Sequence, residues 1–201
     1  MIPMYFANPT AAALPYMRRR ILGYIDTPRQ GNTRPRRVFW CADNGCYSDK
    51  FDRSEWLTFL RKNTHARGTC WFATAPDVVG DAGATLARSE RYLGYIRSLG
   101  YPAAFVAQDG IENTTVPWRK LDVLFIGGTT EFKLGPVAAE YAAKALRLDK
   151  RLHMGRVNSL TRYRVAHEIG CHSVDGTFLT YGPEQNLPRL LSWTRELRCA
   201  Q

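Results

Sequence analysis

Several short apolar runs in this chain end on a small polar motif. Asp43-Asn44-Gly45-Cys46-Tyr47 follows residues 38–42, Thr74-Ala75-Pro76-Asp77 follows 70–73, and Gln108-Asp109-Gly110 follows Ala103–Ala107. Gly127-Gly128-Thr129-Thr130-Glu131 follows Val123–Ile126, Gly155-Arg156 follows 152–154, and Asp175-Gly176-Thr177 follows 171–174. One acidic residue after a strand is usually a helix cap or a turn former. Several gathered at one place are costly, because like charges repel unless a ligand or a shifted pKa compensates, so such a group points to function. The residue types suit a displacement with proton transfer. One carboxylate can face a positive charge developing at carbon and bond to it, and a second can move a proton. A third can accept two N–H donors from a planar edge. The Gly127-Gly128 pair allows a ligand close to the backbone. No phosphate-loop or dinucleotide fingerprint is present.

The elements that must position these residues are legible as a repeating unit of β-rich run, polar loop and helix. The runs Met4–Ala7, 38–42, 70–73, Ala103–Ala107, Val123–Ile126, 152–154 and 171–174 are continuously apolar, as strands covered on both faces are. Between them, Asp52 with Glu55 predicts a capped helix, and Asp81 predicts another that stops at Gly100. Val137, Tyr141, Ala145 and Leu148 form a stripe at helical spacing, Asn158 is a candidate cap, and a last helix spans about 187–197. Seven strands alternating with helices imply a parallel sheet, either closed as a compact (β/α)₈-like TIM barrel or open and doubly wound. In a closed barrel the strand ends converge on one mouth, where catalytic residues sit.

Composition sets further bounds. The chain has 201 residues, one domain's worth, and its N-terminus reads as a strand rather than a secretory leader. With no run long enough to cross a membrane, the expectation is a soluble cytoplasmic protein. The cysteines, Cys41, Cys46, Cys70, Cys171 and Cys199, are odd in number and scattered, which implies no disulfide framework and no zinc site. Lys and Arg total 28 against 18 Asp and Glu. The excess is arginine, grouped in Arg18, Arg19, Arg20 and in Arg29, Arg34, Arg36, Arg37, and such clusters predict contact with nucleic-acid phosphates. On a barrel, Arg18–Arg20 and the loop 27–37 are expected beside the mouth.

The ordered set of Asp43-Asn44-Gly45-Cys46-Tyr47, Asp77, Gln108-Asp109-Gly110, Gly127-Gly128, His153-Met154-Gly155 and Val174-Asp175 resembles the queuine and archaeosine tRNA-guanine transglycosylases. The compact size resembles the branch that exchanges guanine in DNA for a 7-deazaguanine, such as the 7-cyano form, in phage and bacterial DNA modification. That resemblance implies a DNA-guanine transglycosylase, a pentosyltransferase working through a covalent aspartyl-glycosyl intermediate. Asp175 would be the nucleophile, Asp43 the general acid–base, and Tyr47 the ring along the base. Asp77 would read the amidine edge, Gln108 or Asp109 with Gly127-Gly128 would surround the carbonyl and 7-substituent, and Met154 would form an apolar wall. Trp71, Phe72 and Phe105 are further aromatic candidates for the pocket or for the core.

Met4–Ala7 followed by Asn8 resembles the family's second strand, so the first strand is expected to be missing or trimmed. The Cys-rich zinc subdomain is also missing, leaving a single barrel domain over residues 1–201 with no metal or cofactor. DNA and a free 7-deazaguanine base are the implied partners, with a homodimer or partner subunit open and no membrane. If the chain is phage-encoded, its place would be the host cytoplasm. The alternatives are a tRNA-guanine transglycosylase without its zinc domain, a nucleoside hydrolase or deoxyribosyltransferase, and a non-catalytic nucleic-acid-binding barrel.

Overall fold

The computed structural model describes residues 1–48 and 51–199; the Ser48 and Cys199 side chains lie outside what is described. Eight parallel strands run in chain order: β1 (Met4–Ala7), β2 (Gly23–Asp26), β3 (Trp40–Ala42), β4 (Cys70–Thr74), β5 (Ala103–Ala107), β6 (Val123–Ile126), β7 (Arg151–Met154) and β8 (Ser173–Asp175). Each pairs with the next, and β8 returns to β1 through Met4 opposite Ser173 and Phe6 opposite Asp175. The sheet is a closed α/β barrel. Helices α1 (Leu14–Arg18), α2 (Arg53–Lys62), α3 (Ala82–Ser98), α4 (Thr130–Leu134), α5 (Pro136–Arg147), α6 (Leu160–Glu168) and α7 (Pro183–Cys199) surround it.

The strands are apolar on both faces because each face has its own core. Phe6, Ile25, Cys41, Phe72, Ala104 and Val123 form the barrel interior. Their neighbours Tyr5, Tyr24, Trp40, Ala73, Phe105, Leu124, Leu152 and Val174 pack under the helices. Successive side chains alternate between the two, as a pleated strand requires. Gly23 leaves room for Phe6, whose ring carbon Cδ1 would lie 2.3 Å from a Cβ placed there.

Three expectations change. No strand is missing: Met4–Ala7 is β1, and the strand absent from the sequence reading is β2, whose Gly and Asp ends obscure a four-residue run. Ser159, not Asn158, caps α6, its Oγ accepting from the Arg162 amide at 3.3 Å. On α5 the buried stripe is Ala138, Ala142 and Ala145, while Leu148 is exposed. The capping carboxylates Asp52 and Asp81 accept from the Glu55 and Ala84 amides, each at 2.8 Å, as expected.

No helix joins β2 to β3; the extended segment 27–39 does. Arg34 anchors it. Its guanidinium lies 3.6 Å from the Trp40 ring centroid, pairs with Asp26 and donates to Asn63 Oδ1 at 2.9 Å. No helix of the described residues is long and apolar enough to cross a membrane.

Candidate active site

The inward register of the strands runs to their C-terminal ends and one step past most of them, and there it builds the site. Two residues after inward Cys41 comes Asp43; two after Val106 comes Gln108; two after Phe125 comes Gly127; two after Ser173 comes Asp175. All four line a cavity of about 250 Å³ in the barrel mouth, together with Asn44, Asp77, Lys133, Arg156 and Asn158. A groove of about 450 Å³ adjoins it and shares Asn8, Asp43, Asn44 and Tyr47.

Asp175 sits on a buried relay. His153 Nε2 donates to its Oδ2 at 2.8 Å, and the Arg156 amide donates to Oδ1 at 3.0 Å. In the neutral ring, His153 Nδ1 then accepts from Ser173 Oγ at 2.8 Å. Phe72 and Phe125 hold the imidazole, their centroids 4.6 and 4.5 Å from its own. The carboxylate is thus fixed in orientation before any ligand arrives.

Asp43 is held differently. Its Oδ1 accepts from the Gly45 amide at 3.1 Å. Burial pushes its carboxyl up to about 6, the Gly45 amide working against this and the charges of Asp175 and Asp77 working with it. A carboxyl in that range exchanges protons readily near neutral pH.

Asp77 is buried and accepts a hydrogen bond on each carboxylate oxygen. Gln108 Nε2 donates to it at 2.8 Å and Asn44 Nδ2 at 3.2 Å. Gln108 Oε1 accepts from the Gly80 amide at 2.9 Å, which fixes the orientation of its side-chain amide. Burial raises the Asp77 carboxyl against the pull of these donors. Tyr47 stands at the rim, 67% exposed, with the Arg156 guanidinium 4.8 Å from its ring centroid and Arg156 Nη1 donating to its hydroxyl at 3.1 Å. Gly128, at φ +71°, offers its carbonyl to Arg156 Nη2.

The structure therefore brings together Asp175, Asp43, Tyr47, Asp77, Gln108, Gly127 and Gly128. It does not bring in Met154, which faces outward into the helix-side core with no exposed surface. Nor does it bring in Asp109. That carboxylate accepts from the Thr129 amide at 2.9 Å and from Thr129 Oγ1 at 2.5 Å, bracing the loop ahead of α4. Burial opposes its ionisation, but the two Thr129 donors prevail and hold it below the usual range. Phe105 is helix-side core, and Phe72 lies beneath the mouth. Sequence reasoning missed His153, passed over for its neighbour Met154, and Lys133, which carried no motif.

The arginines are also placed differently from expectation. Arg18 ends α1, Arg19 and Arg20 lie between it and β2, and Arg36 and Arg37 precede β3. They lie at the N-terminal end of the barrel, opposite the mouth, where Arg20 Nε donates to the Arg37 carbonyl at 3.1 Å. Arg34 is turned inward on Asp26, its side chain 9% exposed. Of the basic loop, Arg29 and Gln30 border the groove beside the mouth.

No family model matches the chain, and no curated protein does. Among solved structures it is similar to the EAL enzyme Bd1971 in its cGMP-bound form, with a TM-score of 0.42 and 14% identity over 69% of this chain and 38% of that one. It is also similar to the EAL domain of Mycobacterium smegmatis DcpA, with a TM-score of 0.37 and 17% identity over 79% of this chain and 66% of that one. Likeness this slight is one of barrel shape and transfers no chemistry. The expectation of a DNA-guanine transglycosylase, with its DNA-modification setting and its alternatives, is corrected here: the solved structures it is similar to are EAL domains, another kind of barrel. The outward turn of Met154 and the remote arginines remove two of its supports. What stands is an enzyme's arrangement, with polar groups from several strand ends facing one cavity.

Proposed function

We propose that the chain is an acid–base enzyme acting on a small planar substrate with an amide or amidine edge, held in the barrel mouth, with Asp43 as the proton-transferring group. The observation that carries this reading is the Asp43 carboxyl, raised to about 6 and opening into the same cavity as Asp175 and Asp77. Close carboxylates in unequal environments divide the work between a proton carrier and a fixed charge. Asp43 is the carrier. Asp175, oriented by His153 and the Arg156 amide, is the fixed acceptor facing positive charge that develops in the substrate. Asp77 has acceptor capacity left on its carboxylate, and Gln108 Nε2 has one N–H left after its bond to Asp77, while Asn44 is spent holding Asp77; an acceptor and a donor side by side suit a planar edge bearing both.

The test is a panel of amide- and amidine-bearing heterocycles, screened for binding by ligand-observed NMR and then for turnover. Asp43→Asn is expected to bind as wild type does and to lose turnover by about a hundredfold or more. Asp77→Asn is expected to lose binding. Turnover by Asp43→Asn at the wild-type rate, or no member of the panel binding, would contradict the reading.

A further inference from the structure

Lys133 lies near the end of α4, a short helix that Thr129 caps through its Oγ1 and that Asp109 braces through Thr129. Its side chain is 2% exposed and lines the mouth cavity, and its Nζ has no hydrogen-bond partner among the described residues. An ammonium left without an acceptor away from water is unfavourable. The charged groups around it come from four places. Arg156, after β7, and Arg162, on α6, repel it; Asp175, on β8, and Asp109, after β5, attract it. Both carboxylates are already engaged, Asp175 by His153 and the Arg156 amide, Asp109 by Thr129. Arg156 is held beside it by two of its donors, to the Tyr47 hydroxyl and the Gly128 carbonyl. Two cations are thus fixed beside one cavity, one of them lacking any acceptor.

We infer that Lys133 and Arg156 form a cationic corner of the mouth that takes an anionic oxygen group of the ligand, a carboxylate or a phosphate. This rests on the mouth being the substrate site and adds to it a substrate class: a planar molecule carrying an acidic substituent. An anion there supplies the acceptor that Nζ lacks and relieves the repulsion between the two side chains. Burial together with the Arg156 charge draws the Lys133 ammonium down to about 8, so it remains mostly charged at neutral pH.

The chain has six lysines, Lys50, Lys62, Lys120, Lys133, Lys144 and Lys150, so ε-¹³C-lysine NMR resolves them singly. The Lys133 signal is assigned by its loss in Lys133→Met. Inorganic phosphate and acetate are then titrated separately into the whole chain. The expected result is a saturable shift of the Lys133 signal, with its titration midpoint rising by about one pH unit or more. Whichever anion acts at lower concentration names the group. Arg156→Gln is expected to weaken that response by about tenfold while Lys133 still titrates. Absence of a saturable shift with either anion overturns the inference. So does a borohydride-stabilised adduct of propanal confined to Lys133, which would make it an imine-forming residue instead. A Lys133 response alongside wild-type turnover by Asp43→Asn overturns the acid–base reading and leaves this one; the reverse pattern overturns only this one.

Discussion

Among the ionisable side chains in the mouth, Lys133 and Asp43 are displaced from their ordinary ranges in opposite directions, and both displacements cost stability at neutral pH. Lys133 drops from 10.5 to about 8, burial being the first cause and the Arg156 charge the second. A lysine whose folded pKa lies below its unfolded value penalises the native state when charged. The penalty is complete below about pH 8 and fades as pH rises towards 10.5. Lys133→Met is therefore expected to stabilise the fold at pH 7 by up to about 3 kcal/mol, from 1.36 kcal/mol per pH unit, and by much less at pH 10. Urea unfolding at the two pH values checks this; a loss of stability at pH 7 would show that Nζ has an acceptor after all. Asp43, Asp77, Gln108 and Asp175 could be read from the chain because each ends a recognisable strand. Lys133 could not: a lysine on a helix reads as a solvated one, and only the assembled mouth buries it. His153 went unassigned for a subtler reason. Adjacent strand residues face opposite sides, so choosing Met154 over His153 exchanged the barrel interior for the outer core.

At the scale of elements, the strands and the caps of α2 and α3 follow directly from apolar runs and Asp-x-x pairs, and most strand boundaries fall within two residues of expectation. The exception is informative. β2 is short and bounded by Gly23 and Asp26, and no helix follows it, so the alternation that reveals the rest of the barrel lapses there. Arg34 replaces a helix's packing face with one stacked, ion-paired side chain, and what looked like a nucleic-acid contact is part of the wall. Burial holds the Asp26 carboxyl up, the Arg34 charge and hydrogen bond pulling the other way. Removing Arg34 strands that carboxylate. Arg34→Ala is expected to cost about 3–5 kcal/mol in chemical denaturation. Arg34→Ala with Asp26→Asn should recover part of that loss, because no charge is then left unpaired. A single variant as stable as wild type would mean that segment 27–39 does not depend on this anchor.

For the whole molecule, the barrel separates two surfaces that the chain order had suggested were one. The C-terminal mouth gathers Asp43, Asp77 and Asp175 with Lys133 and Arg156. The opposite end exposes Arg18, Arg19, Arg20, Arg36 and Arg37, close to Arg34 and His65. Sequence alone could not assign these ends, since α1 carries the chain from one to the other between Asn8 and Arg18 within a few residues. The account depends on the mouth, and within it on one proton-carrying carboxyl. The most direct test is a pH titration of Asp43 by ¹³C NMR of aspartate-labelled protein, its signal identified by loss in Asp43→Asn. A midpoint near 6, falling towards the ordinary value when Asp175→Asn removes one neighbouring charge, is what the geometry predicts. A midpoint near 4 in the wild-type protein, unchanged in Asp175→Asn, would contradict it.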